Sequence, residues 1–574
     1  MSPSQTSRGI VPADYPPPFS PAEAIAAPSD PVDERIEVGV LIVGAGPAGL
    51  ACAIRLGQLL EDSPETAERL GDVPVAVVEK GKQPGSHLLS GAVVNPRALR
   101  RLFKGRPEQL EQAPTYGDVH GEAVYILTKG TSSRIPPPPT MRNHSNMLVS
   151  VAQLGRFLGE QAEAIGAAIL PETDAQKLLV ADGRVQGIRT CDKGRGREGN
   201  ELGNFEAGSD IVARVTVLAE GTQGHLTGAA ISRFGLEGSD PQVWALGVKE
   251  VWKVEQPLGH IVHTMGWPLR KRARFGEFGG SFIYPMGDDH VPIGFVAGLE
   301  YRDVEFSVHD VLQEFKTHRL VRKILRGGER VGWGAKTITE GGFHALPKRF
   351  NAPGLLLVGE GAGLVNVPTL KGIHYGIESG IMAAEAAFRS LQRGESPSRV
   401  GALDSYDEEL RASYVLEDLR QVRNMRQVFD KGFFFGGAFA SAMTITKGKL
   451  PPKDYHSEPN ATHSLLRTDR ARSYPAPDGK LTFDKLSSVF LSGNRTRDDQ
   501  PNHIRIERQV PRELAELWTN MCPAQVYEVG GADGDGTVTV NLAPSNCVQC
   551  GAITAKGGRL TPPEGGSGPE YKLT

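Results

Sequence analysis

A glycine-rich turn near the start of the chain constrains the fold more than any other feature. It lies between an apolar strand and the start of a helix, and the stretch reads Val40-Leu-Ile-Val-Gly44-Ala-Gly46-Pro-Ala-Gly49. Gly44 permits the tight turn, Gly46 lets the backbone approach a pyrophosphate, and Gly49 allows the helix to pack closely on the strand. We therefore predict a Rossmann-like α/β domain that binds a dinucleotide. The residues predicted to hold the cofactor at this turn are Val43, Gly44, Ala45, Gly46, Pro47, Ala48 and Gly49.

Two later segments extend this prediction from a dinucleotide to FAD. The strand Val75-Ala-Val-Val ends at Glu79, an acid placed to bind a ribose hydroxyl. A further strand runs into Gly359-Glu360-Gly361 and precedes a long helix over about residues 372–391. Two such glycine segments are typical of flavoproteins, so we predict that Gly359 and Glu360 contact FAD, with Glu360 on the ribitol chain. The alternative is that Glu360 is only a turn residue.

Three of the five cysteines, Cys522, Cys547 and Cys550, lie near the C-terminal end of the chain. Five cysteines in 574 residues are too few for a disulfide framework, so these three predict thiolate ligands of a metal centre in a reducing compartment. Cys52 and Cys191 are interpreted as structural. A nucleotide-bound redox cofactor and a thiolate-held metal centre on one chain are typical of an electron-transfer enzyme.

Composition excludes several other classes of protein. The formal net charge of -3 gives no reason to expect a nucleic-acid partner, whose phosphates call for clustered Lys and Arg. No run of 18 apolar residues occurs, so no membrane-spanning helix is expected. Residues 1–36 are rich in Pro, Ala and Ser and carry several acids, which predicts a disordered tail rather than a signal or transit peptide.

One segment is more apolar than is usual for a globular protein. It begins at Phe433-Phe-Phe-Gly-Gly-Ala-Phe439 and continues to Ile445, and Lys431, Lys447 and Lys449 flank it. Phenylalanines can enter one leaflet of a membrane while lysines meet anionic headgroups, so the segment is a candidate membrane anchor. A buried helix in the protein core explains the same composition, and both interpretations stay open from the residues alone.

Longer stretches of the chain resemble the electron-transfer-flavoprotein:ubiquinone oxidoreductase family, from about residue 37 to the C-terminus. Several of the matching stretches are long and unusual, which makes chance similarity a poor explanation. They include Leu88-Leu-Ser-Gly-Ala92, His263-Thr-Met-Gly-Trp-Pro-Leu269, Gly279-Gly-Ser-Phe-Ile-Tyr284, Gly294-Phe-Val-Ala-Gly-Leu-Glu-Tyr301, Asp499-Gln-Pro-Asn-His503 and Cys522-Pro-Ala.

The resemblance implies a membrane-associated enzyme that accepts electrons singly from reduced electron-transfer flavoprotein. Such an enzyme holds them on FAD and an iron-sulfur cluster and delivers two to ubiquinone or another membrane quinone such as menaquinone. Gly279 and Gly280 match the backbone beside which the quinone head group lies, and a tight turn between strands is the alternative for this pair. The region matching about residues 428–450 would seat the protein, as a peripheral or monotopic protein, on the cytoplasmic face of a bacterial-type inner membrane.

The iron-sulfur site departs from the pattern of the family. The family supplies one thiolate from a Cys-Pro-Ala motif and three from a Cys-x-x-Cys-x-x-Cys run, whereas this chain has Ile553 at the last position and no cysteine or histidine after it. A four-iron cluster normally uses four thiolates. Three possibilities stay open: a 4Fe-4S cluster with a non-cysteine fourth ligand such as water, a 3Fe-4S cluster, or no cluster.

The motifs and the resemblance together predict an α/β architecture with three parts. These are a two-glycine-motif FAD-binding domain, an inserted antiparallel β domain for the quinone, and a C-terminal ferredoxin-like iron-sulfur domain. The predicted boundaries are 37–245 for the FAD domain with 335–395 returning to it, 246–334 for the quinone domain, 396–479 for a helical membrane-associating region and 480–574 for the iron-sulfur domain. His87, Glu340 and His374 are polar candidates near the flavin or the quinone, and a structural role is the alternative for each.

The chemistry is predicted to belong to the flavin, since no nucleophile triad or metal-hydrolase motif is present. Two rival functions remain. An FAD-dependent isoprenoid reductase, acting for example on geranylgeranyl lipids, shares the fold. Its reaction needs no group of cysteines such as Cys522, Cys547 and Cys550. The other rival is a non-catalytic protein that scaffolds a respiratory assembly.

Overall fold

The computed structural model describes residues 9–29, 35–394, 399–428, 433–450, 453–468, 471–532 and 536–574. This part of the chain is built around two large β-sheets, one of nine strands and one of seven. The strands are β1 Ile25–Ala26, β2 Ile36–Val43, β3 Val75–Val78, β4 Val93–Val94, β5 Glu122–Leu127, β6 Ser132–Ile135, β7 Met147–Leu148, β8 Ala168–Leu170, β9 Ala175–Ala181, β10 Arg184–Thr190, β11 Lys193–Arg195, β12 Glu201–Glu206, β13 Asp210–Leu218, β14 Trp244–Lys253, β15 Ile261–Gly266, β16 Gly279–Ile283, β17 His290–Gly298, β18 Glu329–Thr339, β19 Asn351–Ala352, β20 Leu355–Leu357, β21 Ile504–Arg505, β22 Gln509–Pro511, β23 Tyr527–Ala532, β24 Thr537–Leu542 and β25 Arg559–Leu560. The α-helices are α1 Pro47–Glu61, α2 Pro64–Glu68, α3 Arg97–Leu102, α4 Pro107–Glu111, α5 Val151–Ala164, α6 His225–Phe234, α7 Val308–Lys316, α8 Arg319–Ile324, α9 Ile373–Gln392, α10 Asp404–Ala412, α11 Tyr414–Gln421, α12 Met425–Val428, α13 Phe433–Ile445, α14 Lys485–Leu491 and α15 Arg512–Met521.

The first sheet carries the glycine turn. Its strand order is β1-β9-β10-β13-β2-β3-β8, with β20 also paired to β13 and β19 to β20. Strand β2 pairs in parallel with both β3 and β13, so these three strands end at one edge of the sheet. The residues from Val40 to Val43 and from Val75 to Val78 are buried as continuous apolar runs, as expected for parallel strands covered on both faces. Helix α1 leaves the glycine turn and packs against α9.

The second sheet has the order β18-β14-β17-β16-β15-β5-β6 and is antiparallel except for the β15 and β5 pair. Its extent differs from the sequence prediction of residues 246–334. Strand β14 begins at Trp244, β18 ends at Thr339, and β5 and β6 join from a stretch that the prediction assigned to the FAD domain. The reason is tertiary pairing, because β5 lies beside β15 and buries Ala123 and Leu127, and no local pattern reveals so distant a partner.

A buried ion cluster ties β14 to helix α7. Glu250 is fully buried, and its two carboxylate oxygens accept hydrogen bonds from Lys316 at 3.0 and 2.8 Å. Arg330 and the indole N–H of Trp252 also donate to Glu250. Successive strand residues point to opposite faces of a sheet. The neighbouring Lys249 accordingly lines an interior cavity on the other face.

A small C-terminal unit shares an apolar core with the second sheet. It contains the antiparallel order β22-β24-β23, helix α15 and the β21 and β25 pair. Trp518 of α15 belongs to the same buried cluster as Trp333 and Phe295 of the second sheet. The shared core fixes the unit against the sheet, and so determines where its cysteines lie.

The N-terminal segment differs from the predicted disordered tail where the structure describes it. Residues Ile25–Ala26 form β1, which pairs in parallel with β9 at the edge of the first sheet. Glu23 also forms an ion pair with Arg559 at 3.0 Å. A short apolar stretch completes a sheet edge here, which composition alone does not reveal. Residues 1–8 and 30–34, which belong to the same predicted tail, lie outside the described residues.

The region predicted to be helical and membrane-associating contains α10 to α13 in its described parts. Helix α13 is the apolar segment singled out in the sequence. Ile445 at its end is 82% exposed and Met443 is buried, while Lys431 and the side chains of Phe433 to Phe435 lie outside the described residues. Across the ranges given above, no helix combines the length and the apolar character needed to cross a membrane.

Replacing Lys316 by Met is expected to lower the free energy of unfolding by about 3–5 kcal/mol, because it leaves the buried Glu250 carboxylate without its main ionic partner. Denaturant unfolding followed by circular dichroism measures the change. The control is Lys253→Met in β14, the strand of Glu250. The Lys253 side chain is 59% exposed and its Nζ lies 3.7 Å from Oδ2 of Asp289. The control should cost less than about 1 kcal/mol. Equal losses in the two variants would contradict a special role for the buried pair.

Candidate functional site

A large cavity of about 1270 Å³ lies between the two sheets. Val43 and Val78, the last residues of β2 and β3, line one side of it, and the first residues of β16 line the other. The carboxyl ends of parallel strands are the usual position of a nucleotide site in an open α/β sheet. The predicted site residues that line the cavity are Val43, Gly44, Gly46, Pro47, Ala48, Glu79, Gly279, Gly280, Gly359 and Glu360.

The glycine turn has the geometry that a pyrophosphate cradle requires. Gly44 has a φ of 106°, a conformation that residues with a side chain rarely adopt. The nearest atom to a Cβ placed on Gly46 would be Leu88 Cδ2, 3.8 Å away, so the backbone here is open to the cavity. A Cβ on Gly49 would stand 2.1 Å from the carbonyl oxygen of Gly44. The turn therefore fits a dinucleotide phosphate at the N-terminus of α1, with Gly49 and Ala45 supporting it from behind.

Glu79 follows β3 and closes the glycine turn. Its Oε2 accepts the N–H of Ala45 at 3.0 Å and its Oε1 accepts the N–H of Gly81 at 2.7 Å. The residue is 8% exposed and lines the cavity. A carboxylate keeps lone pairs for further hydrogen bonds, so the predicted contact with a ribose hydroxyl is compatible with this geometry.

The second glycine segment forms a short 3-10 turn, Gly359–Ala362, next to α9. Oε1 of Glu360 accepts the N–H of Thr339 at 3.0 Å, and burial raises the pKa of this carboxyl. Glu360 thus joins the turn to the end of β18 while it faces the cavity. Its hydrogen bond fixes the side chain at the cavity wall, and its contact with a cofactor stays a prediction.

The cysteines of the C-terminal unit have surroundings suited to iron-sulfur ligands. The Sγ of Cys522 accepts the N–H of Ala524, and the Sγ of Cys547 accepts the N–H of Gln549, each at 3.4 Å. Burial raises the pKa of Cys550 to about 12, and the nearby Cys522 adds to the increase. Closely grouped thiols with N–H···S hydrogen bonds fit the ligand set of a cluster, whose charge and hydrogen bonds tune its potential.

The spacing of the thiols and the residue at the fourth position define what this set can bind. Within the described ranges, no three His, Cys, Asp or Glu side chains converge closely enough to hold a single metal ion. A cluster differs from a single ion, because its ligands bind different iron atoms and need not converge on one point. Ile553 is 3% exposed, and a Cβ on Gly558 would lie 2.5 Å from its Cγ1. The fourth position is thus packed as part of the apolar core.

Gln549 links the cysteine loop to the cavity. Its Oε1 accepts a hydrogen bond from Lys80 Nζ at 2.7 Å, and its carbonyl oxygen accepts one from Lys336 Nζ at 3.1 Å. Both lysines line the cavity, and burial lowers the pKa of Lys336 to about 8. On β18 the N–H of Thr337 donates to the carbonyl oxygen of Cys550 at 2.8 Å. Sequence reasoning missed these contacts, because no motif joins segments so far apart in the chain.

The predicted quinone-contacting pair, Gly279 and Gly280, opens strand β16 and does not form a tight turn between strands. Gly279 has a φ of 148°, and a Cβ there would lie 2.0 Å from the carbonyl oxygen of Val296. A Cβ on Gly280 would lie 2.6 Å from the carbonyl oxygen of Thr264. Close approach of the neighbouring strands therefore requires both glycines, and both also line the cavity.

Of the three polar candidates, His87 and Glu340 line the cavity. Burial lowers the pKa of His87 well below its ordinary value, so this imidazole is neutral. Burial raises the pKa of Glu340 to about 7. His374 instead packs against Tyr375, with ring centroids 3.9 Å apart, and is outside the cavity lining.

Lys249 is a cavity residue that sequence reasoning missed. It is 1% exposed, its Nζ donates to the carbonyl oxygen of Ser90 at 2.8 Å, and burial lowers its pKa to about 7. The signal that could have found it is the charged pair Lys249-Glu250 in the middle of an otherwise apolar strand. The amino group of Lys249 is thus a further hydrogen-bond donor in the wall of the cavity.

Comparison with known proteins places this geometry among flavoprotein oxidoreductases. Two family models match the chain: "ETF-QO, ubiquinone-binding" over residues 244–338, and "Electron transfer flavoprotein-ubiquinone oxidoreductase, 4Fe-4S" over residues 479–572. The chain is 38% identical to the mitochondrial electron transfer flavoprotein-ubiquinone oxidoreductase of Arabidopsis thaliana, with 95% of this chain and 86% of the relative covered. It is also 38% identical to the electron transfer flavoprotein-ubiquinone oxidoreductase of Pseudomonas aeruginosa, with 94% and 99% covered.

Solved structures agree at the level of the fold. A geranylgeranyl bacteriochlorophyll reductase-like protein of Thermoplasma acidophilum has a TM-score of 0.53 and 16% sequence identity, covering 73% of this chain and 98% of that chain. A likeness at this identity shows the fold alone. Together with the two family models it confirms the predicted α/β class with quinone-binding and 4Fe-4S domains.

Replacing Ile553 by Cys is expected to increase the iron and acid-labile sulfide retained per chain after exposure to air. The reason is that a thiolate there supplies the ligand that the family pattern places at this position, so the iron content should approach about four per chain. The control is Ile506→Cys, which adds a thiol at a neighbouring isoleucine that is 7% exposed but outside the ligand motif. Four irons already retained in air by the unmodified chain would show that a non-cysteine ligand completes the cluster.

Proposed function

This chain belongs to the electron transfer flavoprotein-ubiquinone oxidoreductase family, and from this premise we propose how its cavity works. It is an FAD and iron-sulfur oxidoreductase that transfers electrons from reduced electron transfer flavoprotein to ubiquinone. The cofactor classes predicted from the glycine turn and the cysteines agree with those of the family.

One observation carries the proposal: the glycine turn, the opening of β16 and the cysteine loop all meet at one cavity. FAD, when bound, supplies a redox centre that can accept electrons one at a time and release them in pairs. The chain's own residues fix the distances between the parts. Strand β18 does this directly, because Thr337 holds the carbonyl of Cys550 and Thr339 holds the carboxylate of Glu360.

FAD, the quinone and the iron-sulfur cluster are each assigned to a separate set of residues. The FAD contacts are assigned to Val43, Gly44, Ala45, Gly46, Pro47, Ala48, Gly49, Glu79, Gly359 and Glu360. The quinone head is assigned to Gly279 and Gly280, where a flat ring can lie against backbone without side chains. The cluster is assigned to Cys522, Cys547 and Cys550, a set compatible with a 3Fe-4S cluster or with a 4Fe-4S cluster that has one non-cysteine ligand.

The isoprenoid reductase considered from the sequence rests on the fold alone. The Thermoplasma protein is 16% identical to this chain, whereas the oxidoreductase relatives are 38% identical over nearly the whole length. That reaction also needs no group of cysteines such as Cys522, Cys547 and Cys550. Reduction of a quinone therefore explains more of the molecule.

The mouth of the cavity is proposed to rest on a membrane. Residues that line the cavity and are also exposed mark this mouth, and they are Pro139, Lys271, Arg272, Leu370 and Ser441. The set combines apolar groups with cations, which suits the boundary between acyl chains and anionic headgroups. A quinone with an isoprenoid tail could then enter without crossing water. We place the protein on the cytoplasmic face of a bacterial-type inner membrane, with ubiquinone or menaquinone as the acceptor.

The function is tested by mixing the anaerobically purified holoprotein with reduced electron transfer flavoprotein and a water-soluble ubiquinone analogue. We expect the bound flavin to be reduced and one quinol to form for every two electrons donated, because the cavity joins both redox sites to the quinone position. Absorbance of the flavin and of the quinone measures the two steps separately. A flavin that is reduced yet leaves ubiquinone and menaquinone analogues unchanged would contradict the proposal and favour a scaffold.

Replacing both Lys271 and Arg272 by Gln is expected to weaken binding to phosphatidylglycerol-containing vesicles about 30-fold, since each basic residue near an anionic surface contributes about 1 kcal/mol. Vesicle sedimentation at low salt measures the change. The matched control changes Lys104 and Arg233 to Gln, which removes the same charges from exposed positions that do not line the cavity. Equal weakening in the control would show that the mouth has no special part in binding.

A further inference from the structure

Two carboxylates share one guanidinium at the quinone end of the cavity. Nε of Arg426 donates to Oε2 of Glu340 at 3.2 Å, and Nη2 of Arg426 donates to Oε1 of Glu300. All three residues line the cavity. The guanidinium carbon also lies 4.5 Å from the ring centroid of Phe278, the residue before Gly279.

Strands β16, β17 and β18 of the second sheet bring these groups to one end, with β14 between β17 and β18. Glu340 follows β18, Glu300 comes shortly after β17, and Phe278 immediately precedes β16. Backbone hydrogen bonds hold the ends in register: the N–H of Glu340 donates to Val243 at 2.8 Å, and the N–H of Gly298 donates to Phe278 at 2.9 Å. The backbone of Glu340 and the start of β16 therefore lie at the same end of the sheet, and Arg426 links the Glu340 carboxyl to Phe278.

The charges in this cluster favour a proton on Glu340. Its side chain is 8% exposed, that of Arg426 is 8% exposed and that of Glu300 is 13% exposed, so water screens them little. One guanidinium cannot neutralise two carboxylates. Burial raises the pKa of Glu340 to about 7, Arg426 opposes this increase and Glu300 adds to it. Lys556, which donates to the carbonyl of Tyr301, is a further cation near Glu300.

Other ionisable groups near β16 are less suited to supply a proton. His263 faces the hydroxyl of Tyr284 at 2.8 Å, and burial lowers its pKa to about 3, so it holds no extra proton at neutral pH. Glu277 is held in ion pairs with Arg270 and Arg472. Burial lowers the pKa of Lys371 to about 8 and that of Lys249 to about 7, and their amino groups donate to the carbonyl oxygens of Thr369 and Ser90. Among the described carboxyl groups near β16, Glu340 is therefore the one best suited to supply a proton.

We propose that Glu340 is the acid that protonates a quinone oxygen beside Gly279, with Arg426 and Glu300 as positioning residues. The inference rests on the proposed quinone reduction. The quinone gains two electrons, supplied by the reduced electron transfer flavoprotein, and two protons. In the transfer to the oxygen beside Gly279, the carboxyl O–H bond of Glu340 breaks and a quinone O–H bond forms, and the other quinone oxygen takes its proton from solvent. The carboxylate of Glu340 then takes up a proton from solvent before the next turnover.

The test compares Glu340→Gln with the unmodified holoprotein. At pH 7 the variant should form quinol about 100-fold more slowly, the lower end of what a general acid contributes, while reduction of its flavin by the donor stays unchanged. In the unmodified protein, quinol formation should decline as pH rises through about 7, because Glu340 loses its proton there. The variant should lack this decline. The control, Glu417→Gln, changes an exposed glutamate of α11 and should match the unmodified protein in rate and in pH profile.

A second readout does not depend on turnover. Infrared difference spectra of the oxidised holoprotein between pH 6 and 8 should show a carboxylic acid band that titrates near pH 7 and is absent from Glu340→Gln. If Glu340→Gln loses its flavin, Glu340→Asp should retain a titrating band and part of the activity, with a shifted pH profile. Quinol formation by Glu340→Gln at the normal rate and with the normal pH profile would overturn the proposal. A lack of quinol from the unmodified protein would instead overturn the proposed function.

Discussion

The site depends on a single strand, β18, that connects the cysteine loop, the second glycine segment and Glu340. The N–H of Thr337 holds the cysteine loop through the carbonyl of Cys550, the N–H of Thr339 holds Glu360, and Glu340 comes next in the chain. Electron transfer between two centres needs a short and constant separation. The backbone hydrogen bond from Thr337 to Cys550 supports such a separation, because no side-chain rotation can lengthen it. The buried Glu250 cluster secures β14, the strand that pairs with β18.

The cavity holds two clusters of charged side chains that bear on the proposed chemistry. Lys80 and Lys336 stand beside the cysteine loop, where positive charge favours thiolates and added electrons. At the other end, Glu340 and Glu300 compete for Arg426. Lysines therefore lie beside the cysteine loop, and an acid lies at the end of the cavity where we propose that electrons and protons leave together. Burial strengthens both effects, since charges interact more strongly away from water.

The sequence predicted features whose cause is local. The glycine turn, the acid at the end of β3 and the cysteine spacing are short patterns, because a tight turn or a ligand loop is built from neighbouring residues. The family and its cofactor classes follow from these patterns together with the longer matching stretches. The predictions that differed from the structure concerned distant pairing. Residues Ile25–Ala26 complete a sheet edge, and residues 122–135 join the second sheet, each through a partner far along the chain.

By itself the sequence determined that a dinucleotide turn and a three-thiol loop occur on one chain, and that the fourth thiolate position is Ile553. Only the tertiary structure decided how the two meet. Gln549, Lys80 and Lys336 come together from three separate segments, and Glu340 meets Arg426 in the same way. The physical reason is that hydrogen bonds and buried charges act through space, whereas a motif records only the residues that are adjacent in the chain.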